Sequence, residues 1–270
     1  MNTLLHRQEG GVLHVILNRP TSRNAMSLEM VGDLLTTLQQ AEADESVRVL
    51  VLRGSAGHFC SGGDIKDMAA ARMKLAAVQP GDADPIAEVN AAFGRMCLAF
   101  SRSTLPIVTV VEGTVMGGGF GLACVADVTL ASSDAVFRLP ETSLGVVPAQ
   151  IAPFLVERLG YAEAKRLAVT GGRIDAQEAL AIRLVHRVSA DAAALEDALQ
   201  ETLGRILACA PQATAATKAL IQQARTTPAE ALIDEAAQVF SKAALGAEGQ
   251  EGMAAFLEKR APKWAPSVQR

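Results

Sequence analysis

Apolar residues follow two alternating spacings along this chain. Val12 to Asn18 (Val-Leu-His-Val-Ile-Leu-Asn) is a β-branched run that ends at Arg19-Pro20, and it predicts a strand. After Ser27, a good helix N-cap, the apolar positions Met30, Val31, Leu34, Leu35 and Leu38 recur at helical spacing. Val47 to Leu52 predicts a second strand, closed by Gly54, and a helix is expected to begin near Ile65. Ala76 to Asp84 carries Pro80 and Gly81, with Pro85 beyond, and reads as a mobile loop. Ile86 to Ser101 is helical, and Ile107 to Val111 is a third buried strand leading to Gly113 and a glycine triplet. A helix over Gly119–Val125 follows, then short strands at Val128–Ala131 and Val136–Leu139. Strand, glycine turn, helix and strand again predict parallel pairing through right-handed crossovers.

From Pro148 onward the pattern becomes helical. Helices are expected at Ala152–Leu159, Ala162–Val169 and Ala176–Ala181, with a brief strand at Leu184–Val188. Long alanine-rich helices follow at roughly 191–209, 212–225, 228–245 and 247–259, punctuated by Gly160, Pro211 and Pro228. The division is therefore an α/β core over residues 1–190 and a helical C-terminal region over 191–270, packed on the core or on a neighbouring subunit.

Two stretches place glycines where an apolar strand gives way to a helix: Phe59-Cys60-Ser61-Gly62-Gly63-Asp64-Ile65 and Met116-Gly117-Gly118-Gly119-Phe120-Gly121-Leu122. Glycine lets the backbone turn sharply and lets a ligand approach it closely. Free N–H groups at a helix start carry partial positive charge. Two such turns brought together suit an oxyanion held between backbone donors, as when a thioester becomes an enolate.

Composition changes this picture little. The chain has 270 residues, 50% apolar and 20% charged, with net charge −4, which excludes a global basic field for nucleic acid or an anionic membrane. Met1 to Arg7 lacks the apolar core of a secretory signal, and no apolar run approaches the ~20 residues of a membrane span, so a cytoplasmic location is expected. Cys60, Cys97, Cys124 and Cys209 form no CxxC pair and are expected to be reduced, buried thiols. A nucleophilic Cys60 beside His58 is the sharper alternative. His6, His14, His58 and His186 are scattered and suggest no metal set.

Five ordered segments together resemble the crotonase superfamily, the enoyl-CoA hydratase/isomerase family. They are Leu17-Asn18-Arg19-Pro20 with Asn24-Ala25-Met26; Phe59 to Ile65; Val111-Glu112-Gly113-Thr114-Val115-Met116-Gly117-Gly118-Gly119; Phe137-Arg138-Leu139-Pro140-Glu141 with Leu144-Gly145; and Glu251 to Arg260. The resemblance implies an α/β fold, a crotonase-like ββα spiral with a helical C-terminal trimerisation region, assembled as a trimer or dimer of trimers. It implies an acyl-CoA substrate, with coenzyme A as part of that substrate and no prosthetic group. The oxyanion donors it implies are the N–H groups of Gly63 and Gly118. Coenzyme A is expected along Gly63, Asp64, Ile65 and Lys66, with Ser22, Arg23 and Ala25 near the adenine and Phe256 and Lys259 reaching a neighbour's cofactor. Arg23, Lys66 and Lys259 suit a phosphate-rich ligand as point charges.

The resemblance also exposes a departure. Family hydratases use two glutamates; Glu141 matches one, but the position two past the glycine triplet is Gly121. Glu141 would then carry most proton transfer, with its pKa raised by an apolar pocket from Leu139, Pro140, Leu144 and Val146. Three readings of Gly121 stand. The enzyme is an isomerase; or a hydratase whose substrate carries its own carboxylate; or a non-catalytic acyl-CoA binder. Leu144 to Phe154 resembles the loop of bacterial hydratases for 3-methylglutaconyl-CoA and isohexenylglutaconyl-CoA, of leucine and acyclic terpene breakdown. Gln150 is a candidate for bonding a distal carboxylate or the water, or else a helix-capping or surface amide. Glu88 is an outside candidate for the second carboxylate, whereas Glu112 and Asp127 read as structural.

Overall fold

The computed structural model describes residues 3–79 and 81–265. Pro80, within the expected mobile loop, and Met1 and Asn2 of the N-terminal reading lie outside the described residues. The main sheet has six strands: β1 (Leu4–Glu9), β2 (Val12–Leu17), β3 (Val49–Gly54), β4 (Ile107–Val111), β6 (Val128–Ser132) and β9 (Arg187–Ser189), in the order β1-β2-β3-β4-β6-β9. Only β1 runs antiparallel, pairing Leu4 with Leu17, and the remaining strands are parallel as expected. A second sheet of β5 (Thr114–Met116), β7 (Val136–Arg138) and β8 (Arg173–Asp175) stands beside it in the order β5-β7-β8.

The parallel strands read as continuous apolar runs because both faces are covered. Alternation along β3 sends Leu50 and Leu52 to one core and Val49 and Val51 to another. The first core packs under α1 (Leu28–Ala43), α3 (Pro85–Ser101) and α4 (Gly118–Val125), through Met30, Leu34, Leu38, Met96, Phe100 and Phe120. The second is closed by α7 (Ala192–Leu207), whose Leu195, Leu199 and Leu203 meet Val108 and Val110.

Local signals explain the element ends. Ser27 Oγ accepts from the Met30 N–H at 3.2 Å and caps α1. Asp64 caps α2 (Ile65–Lys74) by accepting from the Lys66 N–H at 2.8 Å, and Asp84 caps α3 in the same manner. The helix over Ala152–Val169 (α5) breaks at Gly160, with φ 75° and ψ 162°, so the two helices expected on either side of that glycine are distinct. After α6 (Ala176–Ala181), α7 covers the sheet, then come α8 (Pro211–Ala224), α9 (Ala229–Leu245) and α10 (Ala247–Leu257). No described residue of α8 or α9 is buried, and Ile221, Ile233, Phe240, Met253 and Phe256 are exposed. Among the described residues no helix is long and apolar enough to cross a membrane.

Candidate active site

The two glycine turns meet because backbone hydrogen bonds sew them together. Residues 59–64 run between two other segments: Phe59 N donates to Glu112 O, Cys60 N to Thr114 O, and Met116 N returns to Cys60 O at 2.9 Å. On the other side Met26 N donates to Gly62 O at 2.8 Å and Asp64 N to Met26 O at 2.9 Å. Gly62 and Gly117 adopt positive φ, +100° and +47°, conformations that favour glycine. A Cβ on Gly117 would lie 3.6 Å from Gly62 Cα and 3.0 Å from Glu141 Oε1. The missing side chains therefore let the two turns and the carboxylate close on one another.

Gly63, Gly118 and Glu141 all line one cavity of about 260 Å³. The N–H groups of Gly63 and Gly118 have no protein acceptor among the described residues. Gly118 opens α4, whose N-terminus has no side-chain cap, so the helix dipole adds to its donor strength. Glu141 begins a single 3₁₀ turn, Glu141–Leu144, and is half-buried. Its Oε2 is buried without a hydrogen-bond partner among the described residues. Burial raises its carboxyl above the usual range, against a smaller pull from its own backbone N–H. An orphaned buried carboxylate oxygen calls for a functional account.

The cavity wall revises part of the expected pocket. Of the expected Leu139, Pro140, Leu144 and Val146, Val146 lines the cavity and the other three do not, Leu139 being buried elsewhere in the core and Leu144 71% exposed; Val147 and Ile151 join Val146 in the wall. Glu88 is not among the lining residues, and its neighbours Val89, Asn90 and Phe93 are, so α3 presents an amide and an aromatic ring here rather than a second acid. At Gly121 a Cβ would lie 2.4 Å from Ile151 Cγ2 and 3.5 Å from Phe93 Cζ. Ile151 thus occupies the place a side chain at 121 would enter. Sequence reasoning missed Ile151, Phe93 and Asn90 as site residues. Gln150 also lines the cavity, and its Nε2 donates to Asn90 Oδ1 at 2.9 Å, so it is not a helix cap.

The expected coenzyme A residues fall into two groups. Ser22, Arg23 and Ala25 lie beside the 61–66 segment: Ser61 N donates to Arg23 O at 3.0 Å and Ser61 Oγ to Ser22 O at 2.8 Å. Arg19 ties the two, donating to Ala25 O and to Asp64 Oδ2. Asp64 is committed to that ion pair and to its cap, while Ile65 is 83% exposed and Lys66 is exposed. Phe256 and Lys259 sit at the far end of the chain, and Phe256 is 80% exposed. Neither forms a hydrogen bond or ion pair with the 19–26 or 61–66 segments among the described residues.

Other candidates settle as structural. Burial pushes the Cys60 thiol up to about 11, and His58 Nδ1 accepts from the Thr114 N–H at 3.2 Å, so the pair is no nucleophile. Cys97 and Cys124 are buried, but Cys209 is exposed, contrary to expectation. Glu112 faces Arg53 at 3.8 Å, and Asp127 accepts from the Ile107 N–H and from Lys218, the structural roles expected of them. No group of three or more His, Cys, Asp and Glu side chains is placed to hold a metal among the described residues.

Known proteins share this fold. The family model described as enoyl-CoA hydratase/isomerase matches residues 7–267. The chain is similar to AtuE of Pseudomonas aeruginosa, with 54% identity, a TM-score of 0.93, and coverage of 98% of this chain and 100% of that one. It is similar to an enoyl-CoA hydratase/isomerase from Marinobacter aquaeolei at 49% identity and a TM-score of 0.93, covering 98% and 99%. It is 30% identical to the 2,3-dehydroadipyl-CoA hydratase of Escherichia coli over 97% of this chain and 98% of that protein. Relatives named enoyl-CoA hydratases are carbon–oxygen lyases, the enzyme class expected from the sequence. The ββα spiral, its two glycine turns and this match over nearly the whole length place the chain in the enoyl-CoA hydratase/isomerase family, within the crotonase superfamily.

Proposed function

We propose that the chain hydrates a 3-branched, carboxylated 2-enoyl-CoA of the 3-methylglutaconyl-CoA or isohexenylglutaconyl-CoA type. The observation that carries this reading is Glu141: a half-buried carboxylate with an orphaned oxygen, in one cavity with two unpaired glycine amides. The Gly63 and Gly118 N–H groups hold the thioester oxygen. Glu141 takes a proton from water as the water oxygen bonds to C3, and negative charge passes to the thioester oxygen as the enolate. The enolate collapses and C2 takes the proton back from Glu141. One carboxylate completes the cycle, which suits a site where Ile151 fills the space beside Gly121. An oxyanion donor of this kind contributes about 2.7–4 kcal/mol to the transition state.

The carboxylated substrate is supported by the Leu144 to Phe154 loop and by the E. coli relative, named for an enoyl-CoA derived from a dicarboxylic acid. Coenzyme A lies along Ser22, Arg23, Ala25 and Gly63 to Lys66. Phe256 and Lys259 come from a neighbouring copy in a trimer or dimer of trimers, and the exposed apolar side chains of α8 to α10 support that assembly. A spectrophotometric hydration screen of crotonyl-CoA, 3-methylglutaconyl-CoA and isohexenylglutaconyl-CoA tests the reading; preference for crotonyl-CoA would refute it.

A lone base also favours a second reading, enoyl-CoA isomerisation, since moving a proton between carbons needs one carboxylate. Heavy-oxygen water separates the two, because only hydration places the label in the product.

A further inference from the structure

The wall between α3 and the loop ending at Gln150 holds an amide that the proton-transfer scheme leaves unused. Gln150 Nε2 donates to Asn90 Oδ1 at 2.9 Å, and both residues line the cavity. The Gln150 side chain lies there because residue 94, one helical turn after Asn90, is glycine. A Cβ on Gly94 would fall 2.0 Å from Gln150 Oε1 and 2.7 Å from its Cδ. With its oxygen committed to Gln150, Asn90 keeps its Nδ2 donors without a protein acceptor among the described residues.

The surroundings make that donor conspicuous. On this side the wall is otherwise apolar, formed by Val89, Phe93, Val147 and Ile151. Among the described residues no Lys, Arg or His lines the cavity, and its rim acids are engaged, Asp64 by Arg19 and the Lys66 N–H and Asp67 by the Leu28 N–H. An anionic group entering the cavity beyond the thioester therefore meets one uncommitted side-chain amide on α3, held in a fixed orientation.

We propose that Asn90 Nδ2 binds the distal carboxylate of the acyl group, that Gln150 is the positioning residue that aims it, and that Gly94 is the seat for Gln150. This rests on the carboxylated-substrate reading above. The donor amide replaces water on the carboxylate, and the loss of one hydrogen bond to a charged group corresponds to about a ten- to hundredfold change in affinity.

The test compares kcat and KM for 3-methylglutaconyl-CoA and 3-methylcrotonyl-CoA, which share the branched enoyl group and differ in the carboxylate. Asn90→Asp is close to isosteric and still accepts from Gln150, but it replaces the donors with a charged oxygen. It is expected to lower kcat/KM for 3-methylglutaconyl-CoA about ten- to hundredfold more than for 3-methylcrotonyl-CoA, with the difference mainly in KM. Gly94→Ala, at a position that does not line the cavity, is expected to cause a loss of the same selectivity. In a Gln150→Ala background Gly94→Ala is expected to cost nothing further, because the side chain it would displace is gone. Equal losses on both substrates, or an intact preference in Asn90→Asp, would overturn the assignment while leaving the substrate reading standing. A wild-type enzyme with no preference for the carboxylated substrate would overturn both.

Discussion

Replacing Gly121 by alanine tests whether Ile151 excludes a side chain from this position. The new Cβ would lie 2.4 Å from Ile151 Cγ2, which is 1.0 Å inside the 3.4 Å at which ordinary contact begins. Ile151 is 3% exposed and β-branched, so its methyl cannot swing aside cheaply. Overpacking of this kind costs about 1–3 kcal/mol. Residue 121 is helical, and alanine in place of glycine returns about 0.8–1 kcal/mol of helix propensity. The short contact puts the steric cost toward its upper end, leaving a net destabilisation of about 1–2 kcal/mol. At roughly 2–4 °C per kcal/mol for a domain of this order of size, melting should fall by about 2–8 °C. Ile151→Ala alone should cost about 2–5 kcal/mol by opening a cavity. The double variant places the added methyl in that cavity, so its cost should be smaller than the sum of the two. Thermal unfolding at one fixed protomer concentration measures all four proteins. Additive losses, or a Gly121→Ala protein as stable as wild type, would refute the steric exchange.

Glu141 should set the acidic limb of the rate profile. It must be ionised to accept a proton from water, and burial raises its carboxyl, so kcat should fall as pH drops through a value above that of an exposed glutamate. The same shift has a stability sign. A carboxyl with a folded pKa above its unfolded one contributes stability below the unfolded pKa and loses it as pH rises through the folded pKa. Glu141→Gln should therefore melt higher than wild type at pH 7.5 and show no such gain at pH 4. Gly117→Ala, at φ +47° and with its Cβ 3.0 Å from Glu141 Oε1, should cost about 1–3 kcal/mol of backbone strain and lower turnover, seen by melting and initial rates together. A mild thiol reagent should label the exposed Cys209 first and spare Cys60 in the native protein, by mass spectrometry of peptides; rapid loss of Cys60 would contradict its burial.

What the sequence disclosed depended on whether the signal was local. The Ser27 cap, the break at Gly160 and the three buried parallel strands are written in neighbouring residues, and each appears in the fold. β5 and β8 are three residues long and, unlike the equally short β7 and β9, which fall in or beside the apolar runs Val136–Leu139 and Leu184–Val188, sit in no longer run that a period could register. β1 escaped because only Leu4 of its six residues is buried. The glycine turns were legible for the same local reason, and Gly62 and Gly117 at positive φ bear this out. The expectation for Glu88 failed on helical phase. Asn90 and Phe93 are three apart and share the cavity face, while Glu88 stands two positions before Asn90, about 200° around the helix. A phase count on α3 would have found the amide. Ile151 beside Gly121 and Gln150 beside Gly94 join residues far apart in the chain through spaces that only glycine leaves, and no local pattern encodes such a fit.

The central claim, that one half-buried carboxylate does the proton transfer, is tested most directly by Glu141→Ala with turnover and binding measured on the same preparation. Hydration of 3-methylglutaconyl-CoA should fall by about 10²–10⁴-fold, the usual weight of a general acid–base group, while calorimetric affinity for the acyl-CoA stays close to wild type. Full turnover in that variant would contradict the account.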